Sequence, residues 1–278
     1  MSIEAVFHMN TANGDSSYAS NSHLQVQAIN RIAKDLKSFS RCFKIADLGC
    51  SSGPNTLFVV TNILDIVHDM CLENNSQVPQ FQVFFNDLVE NDFNTVFRSL
   101  PAFYSKLKKK KGDKSGACYV YAVPGSFYSR LFPNKNIHLF NSSYAVHWLS
   151  RVPQGLENNK LNIYMAKTSP INVFEAYRKQ FEKDFTKLLV LRSHEMISGG
   201  HMILTFAGRS KHDPTSEDCC VMWELLVKSL VDMVKEGEVR DVIQKECSFS
   251  LHSVNGFALS WPRPGINTAK FTRAIRNH

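Results

Sequence analysis

The seven cysteines of this 278-residue chain form no Cys-x-x-Cys pair, and their number is odd. A disulfide framework and a zinc site of paired cysteines are both disfavoured, so we expect reduced thiols in the cytosol. No stretch reaches the ~18 apolar residues that a membrane-spanning helix requires, and Glu4 and His8 precede any apolar run. We therefore expect a soluble, unsecreted, cytoplasmic protein without a membrane partner.

Internal repeats and low-complexity segments are also missing, apart from six lysines between residues 106 and 114. These lysines supply much of the formal net charge of +7. No aromatic residues interleave with them, so they indicate a solvated loop and no nucleic-acid partner. With 44% apolar residues the chain can bury a full core, and its length fits one domain with an appendage.

The dinucleotide fingerprint Gly-x-Gly-x-x-Gly is absent from a turn that otherwise indicates a ligand site. An apolar strand over 43–48 enters the turn 49–53, which holds Gly49 and Gly53, and Pro54 then opens a helix. The glycines allow a sharp turn and close approach to a ligand, and free N–H groups at the helix start favour an anion. Without room for a pyrophosphate, the turn favours S-adenosylmethionine, whose carboxylate end is small. The alternative is a turn without any ligand.

A second buried strand, over 81–88, ends in the carboxylate of Asp87. An acid at the end of a second strand can accept hydrogen bonds from both ribose hydroxyls of a nucleoside. Asp87 follows Asp47 by 40 positions, more than the roughly 20 of a compact dinucleotide fingerprint, so a long helix and a loop must intervene. The alternative role for Asp87 is that of a helix N-cap.

Alternating strands and helices predict an α/β fold, a Rossmann-like doubly wound, mostly parallel sheet with helices on both faces. Further strands are expected at 117–123, 137–140 and 202–206, and helices at 21–36, 55–70, 171–197 and 217–234. Ligands of such sheets bind beyond the carboxyl ends of the strands. Four candidate residues fall there: Asp47, Asp87, Ser126 and Tyr144.

Five segments are similar in sequence, and in their order along the chain, to motifs of a known family. They are 17–25, 46–55, 86–88, 124–128 and 147–150. Together they resemble the SABATH family of plant S-adenosylmethionine-dependent methyltransferases, over roughly residues 5 to 250. The resemblance implies methylation of the carboxylate of a small acid such as salicylate, benzoate or jasmonate, or of a xanthine ring nitrogen. The cofactor would leave as S-adenosylhomocysteine.

The resemblance also implies residues for the two ligands. Those expected to bind the cofactor, with Gly49 added from the turn, are Tyr18, Ser22, Asp47, Gly49, Asn55, Asp87, Leu88, Ser126 and Phe127. Asp87 would bind the ribose, and Leu88 and Phe127 would enclose adenine. Those expected to contact the acceptor are Gln25, Tyr144, His147, Trp148, Ala207 and Trp223.

Several of these residues have structural alternatives when the resemblance is set aside. Ser22 and Gln25 fit a capping box at a helix start. Trp148 and Trp223 fit core positions, and His147 fits a structural histidine.

A carboxylate and a xanthine nitrogen need different chemistry. A carboxylate is ionised at neutral pH and attacks the methyl carbon in line without a general base. Gln25 and Trp148 suit a carboxylate, because each offers an N–H donor and neither takes a proton. A xanthine N–H must lose a proton, for which His147 is the candidate base. We expect carboxyl methylation with Gln25, His147 and Trp148 as catalytic residues; the alternatives are xanthine N-methylation and a non-catalytic cofactor-binding relative.

Two departures from the family pattern affect the acceptor pocket. After Glu236-Gly237 the chain lacks the segment in which the family carries an Asp-x-Phe-Asn-x-Pro motif, and it stops at His278 where the family continues. These segments are either missing from the natural chain or omitted from this sequence. We expect one domain over 1–278, with an N-terminal helical segment over about 1–40 and a shortened cap over about 208–245. Magnesium, whose usual motif is absent, and a homodimer are further family expectations.

Overall fold

A computed structural model describes residues 41–53, 55–112, 116–206, 212–215, 220–221 and 223–229. The helix expected at 21–36 lies outside these residues. Of the helix expected at 217–234, residues 220–221 and 223–229 are described, and they are helical.

Strands and long helices alternate along most of the described chain. The strands are β1 (Cys42–Leu48), β2 (Gln80–Asp87), β3 (Cys118–Pro124), β4 (Ile137–Ser143) and β5 (Met196–Thr205). The long helices are α1 (Asn55–Glu73), α2 (Phe93–Lys111) and α3 (Ile171–Glu195). The strand expected at 202–206 is the second half of β5, and the helix expected at 171–197 ends two residues earlier.

The strands form one parallel sheet in the order β3-β2-β1-β4-β5. Strand order reverses at β1, because β2 and β3 lie on one side of it and β4 and β5 lie on the other. Ile45 of β1 pairs with Val83 of β2 and with Leu139 of β4. Ligands of open α/β sheets bind at such a reversal, beyond the carboxyl ends of the strands. The predicted Rossmann-like parallel sheet is confirmed.

Two apolar clusters cover the two faces of the sheet. Phe43 and Ile45 of β1 belong to one cluster, which also contains buried residues of α1 and α2. Ala46 and Leu48 belong to the other, which includes Leu188 of α3. Successive strand residues point to opposite faces, so β1 is buried on both sides. The carboxyl end of β1 is consequently fixed from both faces.

The lysine run corrects the expected loop. Lys106, Lys108, Lys109 and Lys110 are exposed in the last turns of α2, which ends at the left-handed Gly112. The helix continues because its other face stays apolar: the residues buried along it are Val96, Leu100, Phe103 and Leu107. The prediction of solvation holds, and that of loop conformation is wrong.

The described residues fall into two compact units. One contains residues 41–151 and 181–206, including the whole sheet, and the other contains 152–180 and the described residues from 212 to 229. Helix α3 contributes to both. The expectation of a single domain with a cap stays a prediction. No helix in the described part of the chain has the length and apolar character needed to cross a membrane.

Candidate cofactor and acceptor site

A buried carboxylate lies near the end of the central strand. Asp47 is 5% exposed, and Oδ1 accepts a hydrogen bond of 2.7 Å from the Asn141 amide of β4. The Thr56 hydroxyl of α1 lies 3.2 Å from Oδ2. Burial raises the pKa of Asp47 to about 6, although both hydrogen bonds act in the opposite direction. At neutral pH the residue therefore places a desolvated negative charge at the strand reversal, suited to a cationic group.

The turn after β1 is tightly packed at its first glycine and open at its second. Gly49 has a φ of +74°, and a Cβ there would lie 2.2 Å from the Ala145 Cβ. A Cβ at Gly53 would meet no described atom within 4 Å, and its φ is not left-handed. The expected conformational need for glycine holds at Gly49 and not at Gly53. At Gly53 the absence of a side chain instead leaves the backbone open to a ligand.

Asp87 faces the same turn from β2. Its Oδ2 accepts the Ser51 N–H at 2.6 Å, and its Oδ1 accepts the Leu88 N–H at 2.8 Å. Helix α2 begins later, and its N-cap is Asp92, which accepts the Thr95 N–H. The N-cap role proposed as an alternative for Asp87 is therefore wrong. The neighbouring Leu88 side chain is 56% exposed, so an apolar surface lies beside the carboxylate.

The loop after β3 contacts the carboxyl ends of β1 and β2. Asn86 donates its amide hydrogens to the carbonyls of Val123 and Gly125, both at 2.8 Å, and the Gly125 N–H donates to the Asp87 carbonyl. The next two residues, Ser126 and Phe127, therefore lie close to the carboxyl end of β2. A Cβ at Gly49 would lie 3.6 Å from the Phe127 ring, so this loop also packs on the glycine turn.

Six predicted cofactor residues meet at this edge of the sheet: Asp47, Gly49, Asp87, Leu88, Ser126 and Phe127. The sequence pattern assigned no role to Thr56, Asn86 and Asn141, the polar residues whose hydrogen bonds fix this edge. Asn86 and Asn141 are 0% and 1% exposed near the carboxyl ends of largely apolar strands. A polar residue closing a buried strand is the signal that would have found both.

The turn after β4 carries the described acceptor residues of the sheet unit. Tyr144 has a φ of 54°, and its N–H donates to the Thr205 carbonyl of β5. His147 and Trp148 are exposed, Trp148 by 70%, with ring centroids 5.9 Å apart. Partial desolvation lowers the pKa of His147, which favours the neutral imidazole. The alternative that places Trp148 in the core is wrong.

Trp223 lies in the other unit, where it packs against Tyr164 at a ring-centroid distance of 5.1 Å. Its role in acceptor binding stays a prediction. Four further candidates lie outside the described residues, as does the side chain of Asn55: Tyr18, Ser22, Gln25 and Ala207. Within the described ranges, no three His, Cys, Asp or Glu side chains are grouped so that they could hold a metal ion.

Comparison with known proteins identifies the family. The family model for SAM-dependent carboxyl methyltransferases matches residues 4–253. A benzoic acid/salicylic acid carboxyl methyltransferase of Petunia hybrida is 43% identical, over 99% of this chain and 87% of that protein. A jasmonate O-methyltransferase of Arabidopsis thaliana is 39% identical, over 100% of this chain and 83% of that protein.

A solved structure of loganic acid methyltransferase with S-adenosylhomocysteine is similar in fold. Its TM-score is 0.65 at 31% identity, over 97% of this chain and 76% of that chain. The alignment to the Petunia protein spans 310 residues, more than the 278 of this chain, so that relative carries residues opposite gaps here. This supports the expectation that a family segment is missing. The chain belongs to the SABATH family of S-adenosylmethionine-dependent carboxyl methyltransferases.

Proposed function

We propose that this protein transfers the methyl group of S-adenosylmethionine to the carboxylate of a small plant acid of the salicylate, benzoate or jasmonate kind, forming a methyl ester. The observation that carries the proposal is the pair of carboxylates at neighbouring strand ends, Asp47 and Asp87, on either side of an open glycine turn. The relatives named for carboxyl methylation of benzoic, salicylic and jasmonic acids support the acceptor class.

The residues at this edge fit the cofactor. Asp47 offers a buried negative charge to an ammonium group, and the backbone at Gly53 has room for a carboxylate. Asp87 offers acceptor oxygens to ribose hydroxyls, while Leu88 and Phe127 offer apolar surface to adenine. When bound, S-adenosylmethionine supplies an electrophilic methyl group on a sulfonium.

The acceptor side holds an acid without protonating it. A carboxylate with a solution pKa of about 4 is already ionised at neutral pH, so no side chain needs to remove a proton. The indole N–H of Trp148 and the amide of Gln25 are proposed to orient it, since neither group exchanges protons. Desolvation lowers the pKa of His147, which disfavours a fixed positive charge at this position. Rate enhancement would then come from alignment and from exclusion of water.

Two measurements on the purified protein test this proposal. Calorimetry with S-adenosylhomocysteine and with NAD⁺ tests the cofactor, and we expect heat of binding only from the first. Incubation with labelled S-adenosylmethionine and a panel of salicylate, benzoate, jasmonate, xanthosine and methylxanthines tests the acceptor. The product is then treated with alkali, because esters hydrolyse and N-methyl groups survive.

We expect an alkali-labile product from one of the acids. An alkali-stable product from a xanthine, with no ester, would contradict the proposal and favour N-methylation. Cofactor binding without any product would favour a non-catalytic relative.

We further propose that the protein acts as a homodimer in the cytoplasm, without a nucleic-acid partner. The family resemblance supports the dimer, and light scattering of the purified protein at several concentrations tests it. Magnesium is a family expectation as well. Adding and chelating Mg²⁺ during the methyl-transfer assay tests whether activity depends on it.

A further inference from the structure

Tyr128 lies in the loop 125–129, the proposed cofactor loop, and its side chain reaches the turn 145–148, the proposed acceptor turn. Its N–H donates to the Ser126 hydroxyl oxygen at 3.2 Å, and its ring packs edge-on against Phe127 with centroids 4.7 Å apart. Its hydroxyl donates to the Trp148 carbonyl at 2.8 Å and lies 3.3 Å from the Val146 carbonyl. Tyr128 is 5% exposed, and burial raises its pKa to about 12, so the hydroxyl remains a donor. One residue therefore contacts both proposed ligand-binding segments.

The main chain on both sides of Tyr128 is held by one buried guanidinium. Arg192 of α3 donates from Nη1 to the Phe127 carbonyl at 2.8 Å and from Nη2 to the Ser129 carbonyl at 2.7 Å. Arg192 is 0% exposed. Two bonds from one planar group fix the direction of the intervening residue more strictly than one bond would. Through these two bonds, α3 fixes the position of Tyr128.

Glu195 fixes Arg192 in turn. Its Oε2 lies 2.8 Å from the Arg192 Nε, while its Oε1 accepts the Leu131 and Phe132 N–H groups at 2.8 and 3.2 Å. Glu195 is also 0% exposed. A buried ion pair holds one geometry when its remaining polar atoms are bonded, because an alternative geometry would leave a charge without a partner. The loop from 127 to 132 is consequently tied to the helix at four carbonyl or N–H groups.

The acceptor turn contacts two neighbouring segments. Ala145 packs against Gly49 in the turn 49–53, the cofactor turn. The Trp148 N–H donates to the Ala145 carbonyl at 3.0 Å. The Trp148 carbonyl is the group that accepts the Tyr128 hydroxyl. The turn 145–148 thus touches the cofactor turn at one end and Tyr128 at the other.

We propose that Tyr128 is a positioning residue that links the cofactor loop 125–129 to the acceptor turn 145–148, so that cofactor binding sets the position of His147 and Trp148. The inference rests on the proposed function for the identity of the two segments. Both segments are tied by buried or partly buried polar contacts, so a displacement of one is passed to the other through the Tyr128 hydroxyl. By reciprocity, an acceptor bound at the turn tightens cofactor binding by the same factor.

Hydrogen exchange of the unaltered protein, with and without saturating S-adenosylhomocysteine, tests the link without an acceptor. We expect slower exchange at 125–132 and also at 145–150. Slower exchange at 125–132 alone would overturn the link. Unchanged exchange at both segments, together with no heat of binding in calorimetry, would count against the cofactor proposal instead.

Tyr128→Phe removes the hydroxyl and keeps the ring. We expect S-adenosylhomocysteine to bind within about twofold of its original affinity and still to slow exchange at 125–129, while the effect at 145–150 is lost. Loss of one buried hydrogen bond of ordinary strength should lower kcat/KM for the acid about 3- to 10-fold, chiefly through KM for the acid.

The matched control is Tyr119→Phe on β3, whose side chain is 47% exposed and should change neither quantity. Retained protection of 145–150 in folded Tyr128→Phe would overturn the proposal. If circular dichroism shows that Tyr128→Phe does not fold, the exchange experiment on the unaltered protein can still overturn the proposal, because unchanged exchange at 145–150 on cofactor binding would exclude the link.

Discussion

The cofactor side and the acceptor side of the site are supported in different ways. Asp47 is 5% exposed, and both of its carboxylate oxygens have side-chain partners from neighbouring elements. Trp148 is 70% exposed, and its described hydrogen bonds are made by its main chain. Converging strand ends fix the first side, whereas a turn fixes the second. We therefore propose that the cofactor side is organised by the sheet itself, and that the acceptor side takes part of its position from the cofactor side.

Gly49→Ala should have the largest effect, because Gly49 is where the two sides touch. A left-handed alanine costs about 1–2 kcal/mol and overpacking adds about 1–3 kcal/mol, so urea denaturation should show a loss of roughly 2–5 kcal/mol. Gly53→Ala is the control, with an expected stability change within about 0.5 kcal/mol and weaker S-adenosylhomocysteine binding. Equal losses of stability in both variants would contradict the packing assigned to Gly49.

Asp47→Asn should show that the buried charge of Asp47 lowers the stability of the folded protein. The folded pKa of Asp47, about 6, lies above its ordinary value of 3.8, so its contribution to stability is full below pH 3.8 and is lost as pH rises through 6. Removing the charge should therefore stabilise the protein by up to roughly 3 kcal/mol at pH 7.5, and hardly at all at pH 3.8. Urea denaturation of both proteins across this range measures the difference, and a gap that does not grow with pH would contradict it.

Asp87→Ala should weaken the cofactor side without unfolding it. Loss of charge-assisted hydrogen bonds worth ~1.5–3 kcal/mol corresponds to a dissociation constant for S-adenosylhomocysteine roughly 10- to 150-fold higher in calorimetry. Asp92→Ala, five residues away, is matched in chemistry and removes the α2 N-cap, at about 1 kcal/mol of stability. An unchanged dissociation constant in folded Asp87→Ala would remove Asp87 from the site.

His147→Ala should have the smallest effect and sharpens the acceptor side of the comparison. If the acceptor is a carboxylate, no proton is removed, so kcat should stay within about threefold and its pH profile should remain nearly flat above about pH 6. The profile of product formation against pH measures this. A loss of ~100-fold or more, with disappearance of a basic limb, would instead identify His147 as a general base acting on a nitrogen acceptor.

Much of the sheet could be predicted because buried parallel strands are continuous apolar runs. The ends of the expected strands over 43–48 and 81–88 differ from those of β1 and β2 by no more than one residue. Helix α2 was missed because Pro101 and the lysines hide its apolar stripe. The first half of β5 was missed because Gly199 and Gly200 indicate a turn.

The cofactor residues could be predicted because turn and strand-end chemistry is local in sequence. Arg192 and Glu195 could not, because charged residues on an amphipathic helix are ordinarily exposed. Their spacing from buried Leu188 carries the signal: positions i+4 and i+7 lie on the same helical face. The contacts that make them useful join residues more than 60 positions apart, which a pattern in one sequence does not reveal.

Helix α3 passes directly into β5, since Glu195 ends the helix and Met196 begins the strand. Inserting one residue at this junction would rotate the helix by about 100° relative to the strand, carrying Arg192 away from the carbonyls that it binds. The start of β5, just after this junction, is irregular. Ile137 and Leu139 of β4 pair with Met196 and His201 of β5, so residues 197–200 bulge from the ladder. Insertions and deletions should therefore be tolerated better within 197–200 than two or three residues earlier, which makes this bulge a place where the described part of the chain can change length without loss of the site.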